Sequence, residues 1–166
     1  ARTFLPEGVR IEGLSPKSSR ACGYPVRREI RRMSRGQARQ KLGVRSDERL
    51  LVILGGSQGA ASLNNWVKRN MEQLASEGIS VYAITGPNNE SEGVIELSGP
   101  SRKVKMRFVP FCDDMAALLS SADVVVSRAG AGSIAEITRC RVPSVLIPYP
   151  YAADDHQRLN ASFMES

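Results

Sequence analysis

Ser-Arg-Ala-Gly-Ala-Gly-Ser-Ile-Ala-Glu, residues 127–136, is the stretch around which the chain is organised. Val124-Val125-Val126 precedes it, a short β-branched run that reads as a buried strand. Residues 134–139 follow as the opening of a helix. Gly130 and Gly132 sit between, and glycine permits tight turns and close backbone approach. A strand, a glycine turn and a new helix N-terminus present unpaired N–H groups and the positive end of a helix dipole, so an anion such as a phosphate or diphosphate fits there. The same residues also allow a plainer reading. Ser133-x-x-Glu136 has the spacing of a capping box, in which both side chains only satisfy backbone donors.

Outward from this turn, apolar runs and helical patterns alternate. Residues 50–54 form a clear strand that runs into a second glycine loop, Gly55-Gly-Ser-Gln-Gly59. The helix after it spans about 60–77, with Leu63, Trp66, Val67, Met71 and Leu74 at helical spacing as a core stripe, which assigns Trp66 to packing. Further strands fall at 81–85, 104–108, 123–127 and 144–147. Asp113 or Asp114 caps the helix that carries Met115, Leu118 and Leu119. A last helix opens at Asp154-Asp155-His156-Gln157.

Upstream, residues 9–11 read as a short strand, 14–20 as a polar loop, and 28–43 as a helix ended by Gly43. Residues 90–101 carry only weak patterning. Five strands alternating with helices predict an α/β fold, a Rossmann-like open parallel sheet with right-handed crossovers and helices on both faces. In such folds ligands lie beyond the carboxyl ends of the strands. Ser57, Cys112, residues 127–136, His156 and Gln157 all fall at that edge.

The 166 residues suffice for one domain with a core, and 42% hydrophobic with 24% charged residues is ordinary for a globular protein. No apolar run approaches the roughly 20 residues of a membrane-spanning helix. Cys22, Cys112 and Cys140 are too few and too scattered for a disulfide framework or a zinc pattern, which points to a reducing compartment. The net charge is +6, much of it in Arg27, Arg28, Arg31, Arg32, Arg35, Arg39 and Lys41. That run lacks interleaved aromatics and any nucleic-acid module, so it reads as a solvated basic helix face, and nucleic acid is not an expected partner. Ala1 opens without methionine and Ser166 falls within a helical pattern, so a longer parent protein is expected.

Several ligand classes are excluded by motif. Gly55-Gly-Ser-Gln-Gly59 is not the dinucleotide fingerprint, and the second strand ends at Thr85-Gly-Pro87 with no acidic residue. No Gly-Lys-Ser/Thr marks a P-loop. The single histidine beside two aspartates makes no metal pattern, and the aspartates read as a helix cap. Gly56-Ser57-Gln58-Gly59 is not a hydrolase elbow.

The composite pattern does carry a resemblance. Gly-Gly-Ser-Gln-Gly-Ala at 55–60, Phe-Cys-Asp-Asp-Met at 111–115, the stretch 127–137, and Pro-Tyr-Pro-Tyr-Ala-Ala-Asp-Asp-His-Gln at 148–157 with Asn160-Ala161 resemble the C-terminal half of the MurG family. These bacterial enzymes transfer N-acetylglucosamine from UDP-GlcNAc to a lipid-linked muramoyl-pentapeptide, turning lipid I into lipid II in peptidoglycan synthesis. Gly23-Tyr-Pro-Val-Arg27 resembles the family's Gly-Asn-Pro-Val-Arg, with Tyr24 in place of asparagine. The resemblance runs from about residue 21 to the end.

It implies one half of a two-domain GT-B glycosyltransferase. Residues 1–22 become an irregular lead-in from an N-terminal half, and 23–166 the UDP-sugar-binding domain, short of the family's final helix. Residue by residue, Glu136 takes the ribose hydroxyls, and the backbone of Ala131, Gly132 and Ser133, with Ile134 next to them, faces the diphosphate. Cys112 offers main-chain contacts to uracil, and Arg27 and Ser57 match donor-contacting positions. Gln157, with His156 beside it, meets the sugar hydroxyls.

The proposed base of the family is a histidine in the other half, so no catalytic residue is expected here, nor any metal or cofactor. The acceptor binds through that other half. The resemblance places the whole protein in the cytoplasm, peripheral on the inner face of the bacterial cell membrane. Two alternatives stay open: a non-catalytic nucleotide-sugar-binding subunit that needs a separate partner, and a related transferase using another UDP-sugar.

Overall fold

The structure is a computed structural model that describes residues 3–6, 12–15, 17–56, 61–87 and 92–165. Its centre is a six-stranded sheet. Strands β3 (Arg49–Leu54), β4 (Ile79–Ile84), β6 (Lys103–Val109), β7 (Val124–Ser127) and β8 (Ser144–Leu146) are parallel, and β5 (Gly93–Ser98) pairs antiparallel to β6 at one edge. The spatial order is β5-β6-β4-β3-β7-β8, so the strand order reverses between β3 and β7.

The five parallel strands are the five read from sequence. They are legible because a parallel sheet is buried on both faces, which demands near-continuous apolar runs. Along β3, Leu50, Val52 and Leu54 enter one core cluster and Ile53 enters the other, with Leu51 packed against it. That is the two-residue period of a strand with two covered faces. Helix α2 (Ala61–Ser76) covers one face through Leu63 and Val67. Helices α3 (Met115–Ser121) and α4 (Ala131–Cys140) cover the other through Leu118, Leu119, Ile137 and Cys140. Asp114 caps α3, its carboxylate accepting from the Ala117 N–H at 2.9 Å.

Several sequence expectations are corrected. The span 28–43 is not one helix. Helix α1 covers only Arg35–Lys41 and starts at Ser34, whose hydroxyl accepts from the Gln37 N–H at 3.4 Å. Residues 28–34 run without helix because Ile30 is a core plug, 2% exposed, and its carbonyl is held by Arg139 Nε at 2.6 Å. The Met33 N–H is likewise committed, to Ser120 Oγ at 2.9 Å.

The basic run is therefore not a single solvated face. Arg39 is fully buried, with Nη2 on Asp123 at 2.9 Å and its other donors on the carbonyls of Ser121, Arg45 and Ser46. Such a complete set of acceptors is what a buried guanidinium requires.

Trp66 is not core: it is 41% exposed, on the flank of the stripe that Leu63 and Val67 turn inward. The weakly patterned span 90–101 holds β5, whose Val94 and Ile95 are exposed. An edge strand with only Leu97 half-buried against the core carries no apolar alternation to read, and its pairing comes from the tight turn to β6. The Gly99 N–H donates there to the Arg102 carbonyl at 2.9 Å.

The lead-in is not wholly irregular either. Strands β1 (Thr3–Pro6) and β2 (Ser19–Cys22) make a separate two-stranded parallel sheet, so part of the polar loop read at 14–20 is strand. The strand read at 9–11 lies outside the described residues. Helix α5 (His156–Glu165) follows a 3₁₀ turn at Ala153–Asp155 and packs on α4. The two aspartates do not cap it: Asp154 and Asp155 take left-handed φ of 52° and 51°, inside and at the end of that turn. Among the described residues no helix is long and apolar enough to cross a membrane.

Candidate functional site

The turn after β7 decides between the two sequence readings of residues 127–136. Helix α4 begins at Ala131 with Gly130 as its N-cap, and no side chain caps it. Ser133 and Glu136 thus stand inside the helix, and the capping box is absent. The first intrahelical bond is the Ile134 N–H to the Gly130 carbonyl at 3.0 Å, so the amides of Ala131, Gly132 and Ser133 have no acceptor within the helix. Glu136 is instead paired across space, its Oε1 3.5 Å from Arg27 Nη2. Arg27 Nη1 also lies 3.8 Å from Glu29.

Arg27, Ser133 and Glu136 share one cleft of about 500 Å³ at the carboxyl ends of the strands. Leu54 and Gly56 end β3 there, and Ile84 ends β4. Phe111 and Cys112 follow β6, and Ser133 and Glu136 come from α4. Gly56 turns the chain out of β3 with φ of 83°, which favours glycine. The cleft lies beside the reversal of strand order, where open α/β sheets hold their ligands. Arg27, Cys112, Ser133 and Glu136, four of the residues singled out in the sequence, are thereby brought together.

Cys112 is 7% exposed. Burial pushes its thiol above the ordinary range, and it also pushes up the hydroxyl of the neighbouring Tyr82. A neutral, inward thiol packs and does not act as a nucleophile.

His156 and Gln157 do not line this cleft. His156 Nδ1 donates to the Ala153 carbonyl at 2.6 Å, and its ring is exposed. Gln157 Oε1 accepts from the Tyr149 N–H at 3.0 Å. Both stand on α5, which is tied to the glycine turn by Asn160 Nδ2 donating to the Ala129 carbonyl at 3.0 Å. Ser57 lies outside the described residues. Among the described residues no cluster of three or more His, Cys, Asp or Glu is arranged to hold a metal.

Sequence reasoning passed over Tyr24 and Arg128. A Cβ on Gly132 would lie 4.0 Å from the Tyr24 ring, so that ring borders the start of α4. Arg128 sits inside the glycine stretch and bonds the segment after β8. Its position in the motif was a signal, but its partners are distant in the chain.

The sheet, its glycine turns and the cleft at their edge define a Rossmann-like domain of the GT-B type. Residues 50–166 match the family described as the glycosyltransferase family 28 C-terminal domain, and the chain belongs to that family. It is 50% identical over 165 residues to the UDP-N-acetylglucosamine–N-acetylmuramyl-(pentapeptide) pyrophosphoryl-undecaprenol N-acetylglucosamine transferase of Opitutus terrae, covering 99% of this chain and 44% of that protein. The protein of the same description from Aquifex aeolicus is 37% identical over 165 residues, covering 99% of this chain and 43% of its own length. The crystal structure of Acinetobacter baumannii MurG superimposes with a TM-score of 0.61 at 27% identity, over 90% of this chain and 42% of that one. The chain therefore spans less than half the length of these relatives.

Proposed function

We propose that this chain is the donor-binding half of an inverting N-acetylglucosaminyltransferase that takes UDP-GlcNAc and glycosylates a lipid-linked muramoyl-pentapeptide. The observation that carries the reading is the cleft in which Glu136, free of any capping role, faces Arg27 beside the open amides of α4. The printed activity of the relatives supports the same donor and acceptor. Those relatives are single chains more than twice as long, which favours a two-domain enzyme over a stand-alone subunit.

In this reading residues 23–166 form the UDP-sugar domain, and residues 1–22 lead in from the acceptor-binding half. Glu136 accepts from the two ribose hydroxyls, a good match for a carboxylate. The amides of Ala131, Gly132 and Ser133, with Ile134 next to them, face the diphosphate. Main-chain groups at Cys112 meet the uracil, Arg27 and Ser57 contact the donor, and Gln157 with His156 meets the sugar. The acceptor hydroxyl attacks the anomeric carbon with inversion, the bond to the diphosphate oxygen breaks, and UDP leaves. Helix-end amides stabilise the charge that develops on the departing diphosphate. The proton of the acceptor hydroxyl passes to a base in the acceptor-binding half, since no residue of this chain is assigned that role. The whole enzyme works on its lipid-linked acceptor at the inner face of the cell membrane.

Calorimetric titration with UDP-GlcNAc, UDP and NAD tests this. UDP-GlcNAc and UDP are expected to bind and NAD not to. Binding of NAD, or UDP affinity that is untouched by Glu136→Ala, would sink the reading.

A further inference from the structure

One side chain near the proposed sugar end of the site has no part in the donor contacts above, yet it bonds two separate segments. Arg128 Nη1 donates to the carbonyls of Ile147 at 3.2 Å and Pro148 at 3.1 Å. Its Nη2 donates to Ser62 Oγ, at the start of α2, at 2.6 Å. The guanidinium also lies over the Tyr149 ring, 5.4 Å from its centroid. The Arg128 N–H itself is fixed to the Leu54 carbonyl of β3 at 3.1 Å.

Among the described residues, the backbone holds this segment only at its two ends, by the Ile147 N–H on the Ser127 carbonyl at 2.8 Å and by the Ala152 N–H on the Tyr149 carbonyl at 3.2 Å. Pro148 and Pro150 lack N–H donors, so sheet pairing cannot continue through them. Within 147–150 the Tyr149 N–H goes to a side chain, Gln157 Oε1, at 3.0 Å. An N–H can be met only by the oxygen of that amide, which fixes the orientation of the Gln157 side chain. With Oε1 turned to that N–H, the Nε2 end of Gln157, with its two hydrogens, is the end left to face a ligand.

We propose that Arg128 is a positioning residue for the sugar end of the site. It clamps 147–149, the clamp places the Tyr149 N–H, and the N–H orients the Gln157 amide so that its Nε2 end donates to oxygen lone pairs on the sugar. This inference rests on the reading of Gln157 as a sugar contact. The planar fork is essential because two carbonyls and a hydroxyl are bonded at once in a fixed geometry, which a lysine ammonium cannot reproduce. The two ends of the donor are thereby separated: the diphosphate and uridine contacts do not pass through the Arg128 clamp, and the sugar contact does.

The test uses Arg128→Lys, Arg128→Met and Gln157→Ala, titrated with UDP-GlcNAc and with UDP, together with amide hydrogen exchange. Both Arg128 variants are expected to lose about tenfold in UDP-GlcNAc affinity, the equivalent of one hydrogen bond, with UDP affinity unchanged. Combining Arg128→Met with Gln157→Ala is expected to cost no more than either alone. Exchange at the Tyr149 amide is expected to speed up while the amides of β3 and β4 keep their protection. That last comparison also shows whether the variant is folded, and Arg128→Lys keeps the charge where Arg128→Met does not.

Equal loss of UDP and UDP-GlcNAc affinity, additive effects in the double variant, or full rescue by lysine would overturn the clamp. If Gln157→Ala alone left UDP-GlcNAc affinity unchanged, the assignment of Gln157 would fall first and the inference with it. Unaltered exchange at Tyr149 would refute the clamp whatever the donor reading.

Discussion

Arg27 Nη2 stands 3.5 Å from Glu136 Oε1, so the carboxylate proposed for the ribose already has a cationic neighbour in the unliganded cleft. The Glu136 side chain is 23% exposed and that of Arg27 54%. The half-exposed arginine can therefore swing from Glu136 to a ligand at little cost. Glu136→Ala is expected to lower UDP affinity by about 2 kcal/mol or more, since hydrogen bonds to a charged acceptor are among the stronger ones. Arg27→Met is expected to cost less. A double-mutant cycle in calorimetry should show the two residues coupled, and strict additivity would separate them.

Arg39 is expected to be the most costly single arginine to lose. It is buried, paired with Asp123 at 2.9 Å, and its remaining donors satisfy three carbonyls. Asp123 also accepts the Leu50 N–H at 2.8 Å, which ties α1 to the first strand of the large sheet. Arg39→Met should destabilise the fold by about 3 kcal/mol, because it strips three carbonyls of their donor while Asp123, 31% exposed, keeps Arg35. Urea unfolding measures this, and a change below about 1 kcal/mol would contradict the assignment.

Acid sensitivity is expected to pass partly through Asp114. Its hydrogen bond from Lys41, and after it the one from the Ala117 N–H, hold its carboxyl below the ordinary aspartate range. A depressed native pKa means that the unfolded state binds the proton first. The contribution is therefore fully present above the unfolded value of about 3.9, and it is lost as pH falls below that toward the native value. Asp114→Asn should flatten the fall of melting temperature over that acid range, while at neutral pH the variant melts lower. An unchanged acid limb would assign the effect to other carboxylates.

Cys112 is expected to be chemically quiet. Its thiol is buried and shifted upward, whereas Cys22 is exposed. Iodoacetamide at pH 8 should label Cys22 first and leave Cys112 and Cys140 slow, as read by mass spectrometry. Cys112→Ala should keep UDP affinity, because the proposed uracil contact is through the backbone. A large loss would give the side chain a direct role.

What the sequence made legible follows from burial. The five parallel strands announce themselves as apolar runs because both of their faces are covered. Strand β5 turns only Leu97 to the core, and β1 with β2 stands apart from it, so neither leaves a period to detect. The shortness of α1 was hidden because Ile30 and Met33 are held by Arg139 and Ser120, far along the chain. Long-range partners also explain Arg39, which looks like one more surface arginine until Asp123 is beside it. The glycine stretch and Glu136 were legible as local chemistry. Their meeting with Arg27 came only with the resemblance, and the clamp by Arg128 came only with the fold, since both depend on loops joined by the sheet.

Gly132 offers the cleanest separation of stability from binding. It is the second residue of α4, its φ is not in the left-handed region, and an added Cβ would meet only the Tyr24 ring, at 4.0 Å. The free protein therefore has room for alanine. Alanine in place of glycine within a helix is worth roughly 0.5–1 kcal/mol, so Gly132→Ala should raise the melting temperature slightly. If the amides of this turn face a diphosphate, the same methyl group stands where backbone and ligand must approach closely. UDP affinity should then fall while stability rises, and calorimetry beside thermal melting reads both. Equal affinity in the two proteins would move the diphosphate away from this turn. A loss of stability would mean that Tyr24 packs on Gly132 more tightly than the 4.0 Å spacing requires.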